Sequence, residues 1–122
     1  MIHFTDRQPI YLQIVDWLFE QILTEKIKIG EKLPSIRELG YSLEVNPNTV
    51  MRSYEYLQQQ NIITNRRGVG FYVNEEATEK IRELQLNHFI SQEMPFLFKK
   101  IKLLKISFRD LEKYYQRWAE SQ

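Results

Sequence analysis

Apolar positions recur at helical spacing in two short neighbouring stretches, Ile36, Leu39 and Leu43, then Val50, Tyr54 and Leu57. Each stretch carries its own start signal. Ser35 with Glu38 three residues on is a capping-box pattern, in which a hydroxyl and a carboxylate satisfy orphan backbone donors reciprocally. Asn46 followed by Pro47 places a good N-cap before a residue whose fixed φ suits the first helical position. The pattern predicts a helix from about Ser35, a turn at Glu44 and a second helix from Asn46, with Val45 and Val50 spaced for a hydrophobic staple that fixes the entry angle. If the first stripe faces inward, Arg37, Glu38 and Tyr41 stay wet. If the second does, Asn48 and Arg52, one turn apart, project from the opposite face.

The flanks extend the pattern. Pro9 to about Thr24 reads as a helix with Ile10, Ile14, Trp17, Leu18 and Ile22 along one side, its aromatic residues taken as packing. Ile27-Lys28-Ile29-Gly30 suggests a short strand. After the second helix, Ile62 to Thr64 reads as a strand, Asn65-Arg66-Arg67-Gly68-Val69-Gly70 as a turn and Phe71 to Val73 as a return strand, a hairpin with a basic tip. Beyond Asn74, which is placed to cap a helix starting at Glu75, Ala77, Ile81, Leu84 and His88 share a face to about Gln92. Pro95 then opens a second apolar helix, and Ser107 with Asp110 signals a last one carrying Phe108, Leu111, Tyr114, Tyr115 and Trp118.

Two capped helices joined by a tight turn form a helix-turn-helix pattern, which points to double-stranded DNA. The second helix of such a pair presents its N-terminal residues to base edges, Asn suiting adenine and Arg guanine, while helix-start amides suit phosphate. Asn48 and Arg52 are therefore the candidate readers and Thr49 a phosphate contact. Two arginines beside glycines make the hairpin a natural wing, because glycine lets backbone approach closely and guanidiniums reach phosphate or a minor groove. Arg37, Arg66 and Arg67 join Arg52 on the expected binding face, with Asn46 at its edge.

The residues Pro9-Ile10-Tyr11, Gln13-Ile14, Gly30, Leu33-Pro34-Ser35, Arg37-Glu38-Leu39, Asn48-Thr49-Val50, Tyr54, Leu57, Arg67-Gly68, Gly70 and Val73 resemble, in order and spacing, the winged-helix domain of GntR-family transcription regulators. The match runs from about residue 9 to 74. Asn46 to Val50 and the short tail resemble the YtrA-like branch, whose members are repressors often linked to transporter genes. The resemblance implies DNA contacts at Arg37, Asn48, Thr49, Arg52, Arg67 and Gly68, and implies repression. Three positions depart from the family pattern. Asn61 replaces a glycine but tolerates the left-handed conformation. Lys26 also replaces a glycine, and Val69 stands where a basic residue is common in the wing.

Composition adds limits. The chain has 122 residues, 43% of them hydrophobic, enough for one compact core and an appendage. It has no cysteine, so no disulfide and no thiolate metal site. His3 and His88 fall in no metal-ligand or nucleophile pattern, and the wing glycines lack the strand-to-helix context of a phosphate loop. No enzyme, metal or cofactor is expected. Neither a signal peptide nor a membrane span is read from the sequence, so a cytoplasmic location is expected. Residues 1 to 74 carry eight Lys or Arg against eight Asp or Glu. Net charge therefore does not favour nucleic acid, and the DNA reading relies on where the arginines lie.

The expected architecture is mostly α with a small β-hairpin wing: a winged helix-turn-helix domain over 1–74 and a helical dimerisation region over 75–122. Twenty of the 48 tail residues are apolar or aromatic, more than so small a unit can hide alone. A homodimer is expected, with Ile81, Leu84, Phe96, Phe98, Ile101, Leu104, Leu111, Tyr115 and Trp118 at its interface and an operator built as an inverted repeat, its half-sites roughly 10 base pairs apart or a multiple of that. The alternatives are a tail folded back on its own domain and a winged-helix module that binds another protein through the aromatic tail. A small-molecule effector would need a cleft between subunits, and no residue identifies one.

Overall fold

The computed structural model describes residues 2–122. A first compact unit runs through Glu83 and a second spans Leu84–Gln122. The first unit therefore continues past residue 74, because Ala77 and Ile81 are fully buried. Ile81, expected at a subunit interface, is withdrawn into its own chain.

In the first unit α1 (Ile10–Leu23), α2 (Ile36–Leu43) and α3 (Pro47–Gln59) precede a hairpin of β1 (Ile63–Arg66) and β2 (Gly70–Val73), and α3 packs on both α1 and α2. The core gathers Ile14, Val15, Leu18, Phe19 and Ile22 from α1, Leu39 and Leu43 from α2, and Val50, Tyr54 and Leu57 from α3. The buried face of α1 is thus rotated from the expected one. Ile10, at the first helical residue, remains 43% exposed and Trp17 is half-buried, while Val15 and Phe19 point inward. Gln13 is buried with both ends of its amide satisfied: its Nε2 donates to the carbonyls of Thr5 and Gln8, and its Oε1 accepts from the Thr5 amide.

The hairpin register pairs Ile63 with Val73 and Arg66 with Gly70. Arg66 therefore belongs to a strand, and the tip is shorter than expected, a turn closed by the Val69 amide on the Arg66 carbonyl at 2.8 Å with Gly68 at φ 76°. Residues 30–33 lie antiparallel along β2, the Leu33 amide donating to the Phe71 carbonyl and the Val73 amide to that of Glu31. This replaces the strand expected at 27–30, where the chain instead turns, with the Glu31 amide on the Lys28 carbonyl. Asn61 takes the left-handed conformation at φ 60°. At the end of α1 that role falls to Glu25, at φ 59°, rather than to Lys26. Asn74 does not cap the next helix with its side chain. It accepts from the Thr64 hydroxyl and donates to the Asn61 carbonyl, closing the base of the wing.

The helix α4 (Ala77–His88) begins in the first unit and ends in the second. A π-helical turn, Phe89–Glu93, leads directly into α5 (Met94–Leu103). Pro95 lies in the first turn of α5, as expected, but the chain enters that helix through the π-helical turn without leaving helical conformation. Proline cannot donate to the preceding turn and its ring crowds the carbonyl four residues back, and a wider turn is one way to accommodate both. Lys105 turns the chain at φ 54°, and Ser107 caps α6 (Phe108–Glu120) by accepting from the Asp110 amide. No residue of α6 is buried; Phe108 is 77% and Trp118 60% exposed. Phe96, Phe98, Leu104 and Tyr115 are exposed too, Leu84 and Leu111 are half-buried, and Ile101 is buried rather than available to a partner.

Candidate nucleic-acid interface

The first helix of the pair starts as its residues dictate. The Ser35 Oγ accepts from the Glu38 amide at 3.1 Å and the Glu38 carboxylate accepts from the Ser35 amide at 3.2 Å. These bonds to Ser35 hold the Glu38 carboxyl below the usual carboxylate range, and the nearby Lys32 charge adds to the effect. The turn places Glu44 at φ 56°, and Gly40 is the residue that lets the helices approach. A side chain there would begin 3.1 Å from the Val45 carbonyl oxygen and press on Pro47.

On α3, Asn46 caps the helix through its Oδ1, which accepts from the Asn48 amide at 2.8 Å. The Thr49 amide is bonded to the Asn46 carbonyl. The helix-start amides of Asn48 and Thr49 thus have partners within the chain, contrary to the expectation that such amides stand ready for phosphate. The side chains remain the available groups. Asn48 and Arg52 are exposed and Thr49 is half-buried, whereas Val50, Ser53, Tyr54 and Leu57 are buried on the far side. The Ser53 hydroxyl donates to the carbonyl of Tyr11 at 2.8 Å, which ties α3 to the start of α1. The Tyr54 hydroxyl donates to the Pro34 carbonyl at 2.6 Å, and its ring meets Phe71 edge-on at 4.9 Å, so one side chain joins α3 to the entry of α2 and to the wing. Burial, with Glu38 nearby, pushes the Tyr54 phenol well above its ordinary range.

Two of the exposed arginines lie over aromatic rings. Arg52 lies over the Tyr11 ring at 4.0 Å and Arg66 over the Tyr72 ring at 3.9 Å. Such contacts engage the guanidinium face and leave its in-plane N–H donors for a ligand. Arg37 is exposed on α2, and Arg67 with Gly68 forms the wing tip beside Val69, all open to solvent. Lys32 crosses the wing beside Gly70: a Cβ built on Gly70 would sit 2.7 Å from the Lys32 Cε and 3.6 Å from its Nζ.

Sequence reasoning missed Tyr11, Tyr72 and Lys32 as parts of this surface. The Arg66–Tyr72 pair was within its reach, since with Arg66 opposite Gly70 the two share a face on the diagonal of the hairpin. Tyr11 and Lys32 meet their partners only through tertiary packing, for which the sequence carries no local sign. No helix among the described residues is long and apolar enough to cross a membrane, and no group of three or more His, Cys, Asp or Glu among them is placed to hold a metal ion.

Residues 10–73 match the family described as Bacterial regulatory proteins, gntR family. The HTH-type transcriptional regulator YhcF of Bacillus subtilis strain 168 is 40% identical over 82 residues, 67% of either chain. The HTH-type transcriptional repressor YtrA of the same strain is 43% identical over 75 residues, 62% of this chain and 58% of that protein. A crystal structure of a GntR-family transcriptional regulator from Bacteroides thetaiotaomicron, 39% identical, superposes with a TM-score of 0.83 over 93% of this chain and 99% of its own.

Proposed function

The chain belongs to the GntR family of DNA-binding transcriptional regulators, and from that premise we propose that it is a cytoplasmic repressor that binds an inverted-repeat operator as a homodimer. One observation carries this reading: α3 presents Asn48 and Arg52 outward while its other face is buried, the arrangement a recognition helix needs to enter a major groove. In this reading Asn48 and Arg52 address base edges. Thr49, Arg37 and Arg66 contact phosphate, Asn46 holds the helix start, and Arg67 with Gly68 brings the wing against the backbone or into the minor groove. Repression is supported by the name of the relative YtrA and works by occluding a promoter.

The dimer is supported by the second unit. Phe96, Phe98, Leu104, Tyr115 and Trp118 are exposed there, with Leu84 and Leu111 half-covered. So much apolar surface on 39 residues is a liability for a monomer and ordinary for a two-fold interface. Selection of bound sequences from random duplexes tests the whole reading. The expected outcome is an enriched inverted repeat, bound by a species that light scattering sizes as a dimer, with affinity falling about ten-fold or more for Asn48→Ala and Arg52→Ala. A monomer at micromolar concentration, or a pool with no enriched sequence, would overturn it.

A further inference from the structure

Arg52 does not stand free on the outer strip of α3. Its guanidinium carbon lies 4.0 Å from the centre of the Tyr11 ring, and Tyr11 sits in the first turn of α1, far away in sequence. The next residue along α3 fastens the two together. Ser53, fully buried, donates its hydroxyl hydrogen to the Tyr11 carbonyl oxygen at 2.8 Å. The shelf is thus bolted to the helix that carries the arginine, and Tyr11 is itself half-buried.

An unsupported arginine samples many rotamers and must be immobilised when it binds. A ring 4.0 Å from the guanidinium carbon restricts the rotamers open to the side chain and leaves N–H donors on its outer edge for a base. That restriction matters little for a phosphate, which accepts from many directions, but it matters for paired bonds to guanine O6 and N7. We propose that Tyr11 is a positioning residue for sequence reading: its ring orients Arg52, so that it sharpens discrimination at one operator base pair without touching DNA. This rests on the reading above that Arg52 addresses a base edge.

The test measures binding of the full chain to the selected operator and to duplexes carrying each single base-pair change. Arg52→Ala identifies the position it reads as the one where discrimination disappears. At that position Tyr11→Leu is expected to lose about two- to five-fold in discrimination, the worth of a partly exposed cation–π contact. Other positions keep their discrimination, Tyr11→Phe matches the parent, and the Tyr11→Leu/Arg52→Ala double variant discriminates no worse than Arg52→Ala alone. Tyr11→Met serves as the second non-aromatic variant should Leu impair folding. The proposal is overturned if the non-aromatic variants keep full discrimination where Arg52→Ala loses it, or weaken binding equally to every duplex, as a merely structural residue would. If Arg52→Ala alters no position, the base-reading role of Arg52 fails first and the proposal with it.

Discussion

Tyr54 shows how much of the candidate binding surface depends on one buried side chain. Its ring is fully buried against Phe71 and its hydroxyl is spent on the Pro34 carbonyl, so α3, the entry to α2 and the wing share a single anchor. Tyr54→Phe keeps the ring and strands the carbonyl. The expected loss is about 1 kcal/mol, read as a lower urea midpoint at unchanged slope; an unchanged midpoint would mean that the hydroxyl contributes nothing. The same residue sets an alkaline limit. Its folded pKa is raised, chiefly by burial and further by Glu38, so its contribution is complete below the unfolded value of about 10 and is lost as pH rises through the folded one. Stability is expected to fall above about pH 10, and to fall less in Tyr54→Phe. The remaining decline belongs in part to Tyr56, whose phenol is also raised by burial.

The helix α2 is only eight residues long, short enough for its cap to matter. Ser35→Ala removes both the acceptor for the Glu38 amide and the hydroxyl that steadies its carboxylate. A cost of about 1 kcal/mol at neutral pH is expected. Because the Glu38 carboxyl is held low, its share is present above the unfolded carboxylate range and is lost as pH falls through the folded value. Thermal unfolding of parent and variant should therefore differ most at pH 7 and differ less in acid, where only the bond from the Glu38 amide to the hydroxyl remains; a constant gap would assign the whole effect to that bond. This cap was legible because its signal is local, as were Asn46, Pro47, the left-handed Asn61 and the alternation of the wing strands. What depended on distant backbone was not. The strand expected at 27–30 gave way to a bridged segment at 30–33 because β2 supplies its backbone partners. The core face of α1 turned because α3 decides what it buries. Pro95 carries the usual mark of a helix start and does lie in the first turn of α5, but the π-helical turn that joins it to α4 is announced by no spacing in the sequence.

Charge bookkeeping alone would have missed the function. Residues 1–83 hold ten Lys or Arg against twelve Asp or Glu, and 84–122 hold seven against four. A negatively charged domain can still bind a polyanion when its cations are placed rather than pooled. Here Arg37, Arg52, Arg66, Arg67 and Lys32 come from α2, α3, the wing and the bridged segment beside it, while Asp16 and Glu20 ride on exposed positions of α1. Candidate readers were legible because helical periodicity separates an outer strip from an inner one. Their bracing was not, because the braces come from other parts of the chain. The exposed apolar side chains on α6 belong to the proposed homodimer, in which a second copy would bring a second α3 to the operator. The decisive experiment is guanine N7 methylation interference on the selected operator, which reports contact in the major groove directly. Methylation of a guanine in each half-site should block binding of the parent protein and cease to matter for Arg52→Ala. An interference pattern identical in the two proteins would place that strip of α3 outside the groove and contradict the assignment.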